Sequence, residues 1–212
     1  MTILFDLDGT LIDSTDAILQ SFHNSYDVHK RVHPTDEQIK ALIGYPLDVM
    51  YTNLGIEDEV VWDFVATYKE HYREISTKMT TLLPNALEAV ELASTFARLG
   101  IVTTKTARYS KILMEYFDLM KHFEVLIGRE DVENPKPHAE PILKALNLMK
   151  CSDKEQWIIG DTKLDLLSAQ NANIKSVGVL CGYSNLEELS KYTPNIHNNS
   201  LDAVKFLHSI QS

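Results

Sequence analysis

The chain has 212 residues, a net charge of -10 and 44% hydrophobic residues. It is long enough for one α/β domain with a smaller appendage and too apolar to be disordered. Its acidic balance argues against a nucleic-acid partner, which needs a basic face, yet leaves room for a small phosphorylated ligand met by a local lysine and a divalent cation. No apolar run approaches the roughly 18 residues that span a bilayer, and Asp6 and Asp8 interrupt the one stretch that could act as a secretion signal.

Taken in order, residues 2–6 (TILFD) read as a short buried strand. From Ser14 to about Met79 the periodicity is helical throughout. Residues 15–28 place Ala17, Ile18, Leu19, Phe22 and Tyr26 on one face. Thr35 and Gln38 make a capping box for a second helix that Gly44 ends. A short third helix runs from Pro46 to Leu54, and a long fourth over 57–78. Beyond Pro84 the rhythm changes. Asn85 and Glu88 predict another capping box and a helix to Arg98. Strands are then expected at 101–104 (IVTT), 124–128 (EVLIG), 157–161 (WIIGD) and 176–180 (SVGVL). Helices separate them near 110–120, 138–149 and 163–173, and further helices close the chain. Alternating strands and helices imply a parallel sheet covered on both faces. The predicted fold class is α/β: a Rossmann-like three-layer α/β/α core over 1–13 and 82–212, with an inserted all-α four-helix cap over 14–81.

Ligands of open parallel sheets bind beyond the carboxyl ends of the strands. Strand one ends in Asp6-Leu7-Asp8-Gly9-Thr10, strand two in Thr103-Thr104-Lys105, and strand four in Gly160-Asp161-Thr162, with Asp165 just after; the loop after strand three reaches Asn134-Pro135-Lys136-Pro137. Four strand ends thus bring acids, a hydroxyl and a lysine to one edge. Such a set suits phosphoryl transfer through a carboxylate nucleophile, because a hard cation such as Mg²⁺ binds a few carboxylates together with phosphate oxygens. Asp6 and Asp161 then need not sit together as bare like charges if an ion lies between them.

Here the residues carry a resemblance. FDLDGTLID, the hydroxyl after GIV, the lysine in NPKPHAEPIL, and IIGDTKLD resemble, in order, the four motifs of the haloacid dehalogenase superfamily. The insertion point resembles its phosphoglycolate-phosphatase-like branch with a helical cap. The resemblance implies that Asp6 is the nucleophile and Asp8 the general acid and then base, also giving a Mg²⁺ ion its main-chain carbonyl. Asp161 would complete the protein ligands of the metal. Thr103 would bond a phosphoryl oxygen, and Lys136 would neutralise that group and Asp6. Asp165 would orient Lys136 or support the metal from behind its ligands.

Taken singly, these residues have plainer readings. Asp8-Gly9 could be a turn, Asp161 a helix N-cap, Thr103 a strand residue and Lys136 a solvated charge. Thr103 is chosen over Thr104 as the first hydroxyl after the apolar pair, with Thr104 left as a substrate contact. Lys105 and Arg108 are as readily solvated as substrate-facing. The segment 42–47 (LIGYPL), with Gly44, is the cap stretch expected to reach substrate, or else a helix–helix turn. The cysteines Cys151 and Cys181 fit no metal or redox spacing, so reduced thiols are expected.

The expected function is a Mg²⁺-dependent phosphatase acting on a small phosphate monoester, phosphoglycolate first. The alternatives are an inorganic pyrophosphatase or sugar phosphomutase of the same superfamily and, further off, a phospho-accepting signalling domain. Asp8 speaks against the last, since it would hydrolyse the signal, and against dehalogenation, which does not need it. The expected partner is a small phosphorylated metabolite, with no nucleic acid and no membrane, in a cytoplasmic monomer or homodimer.

Overall fold

The structure, a computed structural model, describes residues 1–152 and 154–211. It divides into two compact units, Met1–Asp13 with Leu82–Ser212, and Ser14–Thr81. No helix among the described residues is long and apolar enough to cross a membrane.

The apolar run at the start forms β1 (Thr2–Phe5), fully buried, and β2 (Ile12–Asp13) follows a tight turn. The second unit contains four helices: α1 (Thr15–Val28), α2 (Asp36–Lys40), α3 (Leu47–Asn53) and α4 (Val61–Met79). The predicted apolar face of α1 is buried. Phe22, from that face, packs on Tyr51 of α3 (ring centroids 4.5 Å) and edge-on to Tyr68 of α4 (5.2 Å). Ser25 Oγ donates to the Phe22 carbonyl and lies 2.6 Å from Tyr51 Oη, so the tyrosine hydroxyl donates to the serine. This satisfies two polar groups inside an aromatic cluster whose burial supplies most of its stability.

The Thr35–Gln38 capping box is present. Two expectations shift here. The second helix stops at Lys40, and Gly44 (φ 108) instead shapes the turn before α3. The fourth helix starts at Val61, because residues 58–60 form a turn ahead of it.

β3 (Thr81–Leu82), paired with β2, spans the boundary at which the chain returns to the first unit, which continues with α5 (Ala86–Ser94). Next come β4 (Arg98–Val102), α6 (Ala107–Tyr116), β5 (Val125–Ile127), α7 (Glu140–Leu148), β6 (Gln156–Gly160) and α8 (Lys163–Asn171). The chain ends with β7 (Lys175–Val179), α9 (Leu186–Leu189), β8 (Ile196–His197) and α10 (Ser200–Ser209). Six strands form one parallel sheet in the order β5-β4-β1-β6-β7-β8, so β1 is central.

Alternation on buried strands splits the core in two. Ile3, Phe5, Leu99, Ile101, Trp157 and Ile159 pack with α5, α6 and α10 on one face. Leu4, Val102, Ile127 and Ile158 pack with α7 and α8 on the other. Each buried aliphatic or aromatic side chain contributes about 1.5–3 kcal/mol.

Three local expectations are corrected. Arg98 to Gly100 belong to β4 rather than to a helix end. A Cβ at Gly100 would lie 2.8 Å from Leu4 and 3.0 Å from Val125, so the glycine is there for strand–strand closeness. Asn85 makes no side-chain cap for α5, since it takes a left-handed conformation at φ 65. The strand expected to reach Thr104 ends at Val102.

Candidate active site

β1 and β6 are neighbours in the sheet, and the first residue past each is an aspartate. Asp6 N–H donates to the Ile159 carbonyl at 2.9 Å, which carries the ladder one residue further and fixes Asp6 beside β6. The chain then turns sharply, with Thr10 and Leu11 N–H both donating to the Leu7 carbonyl (3.0 and 2.8 Å). Asp8 sits on that turn, separate from Asp6. Asp161 follows β6, and Asp165 lies in the first turn of α8. Asp6, Asp161 and Asp165 are buried, and carboxylate oxygens from the three lie within 4.8 Å of one another.

Lys136 arrives from the loop before α7 and is itself buried. Its ammonium donates to the Val102 carbonyl at 3.0 Å and to Asp165 Oδ1 at 2.5 Å, and it lies 2.9 Å from Asp6 Oδ1. Asp165 turns its other oxygen to Thr162, accepting from the main-chain N–H (3.1 Å) and from Oγ1 (2.7 Å). This is the capping box of α8, and the N-cap residue is Thr162, not Asp161. Both Asp165 oxygens are therefore committed, one to the lysine and one to the helix end. Burial lowers the affinity of the Lys136 amine for its proton, but Asp165 and Asp6 outweigh it and hold the ammonium above its ordinary value.

Asp161 is fully buried and held at both oxygens. Thr10 Oγ1 donates to Oδ1 at 3.0 Å, and Tyr183 N–H to Oδ2 at 2.9 Å. Side chains are excluded around it: a Cβ on Gly9 (φ +79) or on Gly182 would overlap the Asp161 carboxylate. Thr10 stood at the end of strand one without a role, and Gly182 and Tyr183 escape a reading of the sequence by strand ends. The signal for the last two was a Gly-Tyr pair just past the strand that became β7.

Thr103 is buried just beyond β4, its N–H donating to the Ile127 carbonyl and its Oγ1 accepting from Lys105 N–H at 3.2 Å. Thr104 beside it is half-buried. Asp8 is met by Lys105, whose ammonium lies 3.1 Å from Asp8 Oδ2, both side chains being largely shielded from solvent. Gly44 belongs to the second unit. Burial, with Asp161 nearby, pushes the Cys181 thiol up to about 11, so it is not a nucleophile at neutral pH.

Three buried carboxylates face one buried ammonium in the Asp6 cluster, leaving it short of positive charge. Burial, helped by Asp165 and opposed by Lys136, pushes the Asp6 carboxyl up to about 7. Burial, with Asp165 and Asp6 adding to it, pushes Asp161 up as well. Asp6 Oδ1 is buried, with the Lys136 ammonium 2.9 Å away as an ion pair and no hydrogen bond of good geometry reaching it. An oxygen-only donor set with an orphaned carboxylate oxygen and excess negative charge fits a hard divalent cation. Asp165 faces the Lys136 ammonium with one oxygen and takes two donors on the other, whereas each Asp161 oxygen accepts one neutral donor and keeps a lone pair, so Asp6 and Asp161 are the side chains better able to hold it.

Residues 3–179 match the family model described as haloacid dehalogenase-like hydrolase. Over 195 residues the chain is 33% identical to pyrophosphatase PpaX of Anoxybacillus flavithermus, covering 92% of this chain and 90% of that protein. A haloacid dehalogenase-like family hydrolase from Streptococcus pneumoniae superposes with a TM-score of 0.87 at 26% identity, covering 97% of each chain. A predicted phosphoglycolate phosphatase from Haemophilus somnus gives 0.87 at 22% identity, again over 97% of each, a likeness of fold alone.

Proposed function

The chain belongs to the haloacid dehalogenase-like hydrolases, and on that premise we propose that it is a Mg²⁺-dependent phosphohydrolase whose Asp6 takes the phosphoryl group. One observation carries the reading: Asp6 is buried at the end of the central strand, against Lys136 and beside Asp161, with Asp8 two residues away.

In the first step a carboxylate oxygen of Asp6 attacks phosphorus, the bond to the leaving oxygen breaks, and Asp8 gives that oxygen a proton. In the second, Asp8 takes a proton from water, the water oxygen attacks phosphorus, and the bond to Asp6 breaks, returning the carboxylate and releasing phosphate. Lys136, locked between Asp165 and Asp6, neutralises the phosphoryl oxygens, and Thr103 donates its hydroxyl to one of them. Mg²⁺ held by Asp6, Asp161 and the Asp8 main-chain carbonyl would supply the charge that lets a phosphate anion approach a carboxylate. The helical unit Ser14–Thr81 would serve as the cap of this reading; Gly44 within it and Thr104 in the core unit are the expected substrate contacts.

The substrate is a small phosphate compound. Pyrophosphate is favoured by the name of the relative that is 33% identical over most of both chains. Phosphoglycolate rests on likeness of fold and stands second. Turnover of pyrophosphate, phosphoglycolate, a sugar phosphate and an aryl phosphate with and without Mg²⁺ tests the proposal. Activity that survives a chelator removes the metal, and inertness towards all four removes the phosphohydrolase reading.

A further inference from the structure

The two acids of the opening motif have separate lysines: Lys136 stands at Asp6 (2.9 Å) and Lys105 at Asp8 (3.1 Å). The phosphohydrolase reading uses only the first. From the second, and resting on that reading, we propose that Lys105 is a specificity-determining residue that binds a negatively charged leaving group, so that the enzyme selects substrates such as pyrophosphate or a phosphorylated carboxylate over esters of neutral alcohols.

The argument is one of distance and charge. A leaving oxygen protonated by Asp8 must come within about 3.2 Å of one of its carboxylate oxygens. Lys105 Nζ is already 3.1 Å from Asp8 Oδ2. The ammonium and the leaving oxygen are therefore neighbours, roughly 6 Å apart or less when they share that oxygen. A second phosphate or a carboxylate attached to the leaving oxygen extends from this point, where a largely buried cation can meet it. An alkyl group offers the same cation nothing and desolvates it, and a phenyl ring offers at most a cation–π attraction, weaker than a full opposite charge.

The backbone holds Lys105 for this purpose. Its N–H donates to Thr103 Oγ1 (3.2 Å), and its carbonyl accepts from Arg129 N–H (3.0 Å). Two residues on, the Glu130 carboxylate accepts from Ala107 and Arg108 N–H (2.8 and 3.3 Å), pinning the start of α6 to the segment after β5. The lysine thus projects from a segment tied down on both sides, near a threonine assigned to the transferred phosphoryl group.

The test compares kcat/KM for pyrophosphate, phosphoglycolate and phenyl phosphate in the wild-type protein and in Lys105→Met and Lys105→Arg. The wild type is expected to prefer the two anionic-leaving-group substrates. In Lys105→Met the preference over phenyl phosphate falls by about 10²-fold, the scale for removing one partner of a shielded charge pair, while Lys105→Arg keeps most of it. Equal losses on all three substrates would mean that Lys105 only positions Asp8, and an unchanged preference would mean that it does not meet the leaving group; either overturns the proposal. A wild-type protein that turns over phenyl phosphate but neither anionic substrate overturns it too, leaving the Asp6 chemistry standing. A wild type inert towards all three sinks the phosphohydrolase reading and this proposal together.

Discussion

Asp165 holds Lys136 at 2.5 Å with one oxygen while the other caps the helix that carries it. The lysine's position is thus tied to the start of α8, and the aspartate contributes without meeting substrate. Asp165→Asn keeps the size and loses the charge. Turnover should fall by about 10–10²-fold, the range for residues that orient a working group, with KM affected less than kcat. Steady-state kinetics decides, and an unchanged kcat would show that Lys136 needs no such anchor.

Asp6→Asn should lower turnover by about 10⁴-fold or more, as removal of a nucleophile does. The same change relieves a buried carboxylate, so thermal stability without Mg²⁺ at pH 8 should not fall. Measuring both separates loss of chemistry from loss of fold. Near-normal turnover of an aryl phosphate would remove the nucleophile assignment.

Gly182→Ala puts a methyl group where it overlaps Asp161 Oδ2 and crowds the Gly9 carbonyl. Overpacking of this kind costs about 1–3 kcal/mol. Because the displaced group is a proposed cation ligand, the Mg²⁺ concentration for half activation should rise about tenfold or more. Metal titration of activity, beside a thermal melt, checks both. A lower melting temperature with unaltered Mg²⁺ dependence would mean that Asp161 does not hold the ion.

The cation should also show in how stability depends on pH. The Asp6 carboxyl stands at about 7 in the fold against an ordinary 3.8, chiefly through burial. Below about pH 4 both folded and unfolded chains carry this proton, and the stabilisation it brings is complete. Between the two values only the folded chain keeps the proton, so that stabilisation is lost as pH rises through about 7. Mg²⁺ needs the ionised carboxylate and competes with the proton. Added Mg²⁺ should therefore raise the melting temperature more at pH 8 than at pH 6. Equal shifts at both would contradict ion binding at Asp6.

Much of the core could be read from the chain. The runs at 2–6, 157–161 and 176–180 are apolar, short and bounded by acids or glycine, and each became a strand. Asp6, Asp161, Asp165 and Lys136 converge because strand order brings separate strand ends together. What stayed hidden depends on contacts far apart in sequence. β8 has only Ile196 and His197 and no apolar run to announce it. Arg98 looked like a helix end because nothing local tells a glycine that follows a helix from Gly100, which lets Leu4 and Val125 come close within the sheet. Lys105 looked as readily solvated as functional until the turn after β1 brought Asp8 to it.

The central position of β1 has a consequence for how the chain acquires this site. Thr2 pairs with Arg98 on one side and with Gln156 on the other. Closing contacts over such separations costs chain entropy before any packing offsets it, which slows folding. During synthesis the segment bearing Asp6 leaves the ribosome before β4 and β6, and it must wait for β6 to emerge before its sheet position is complete. Until then a strand of Ile3, Leu4 and Phe5 has both edges unpaired and is open to association with other chains.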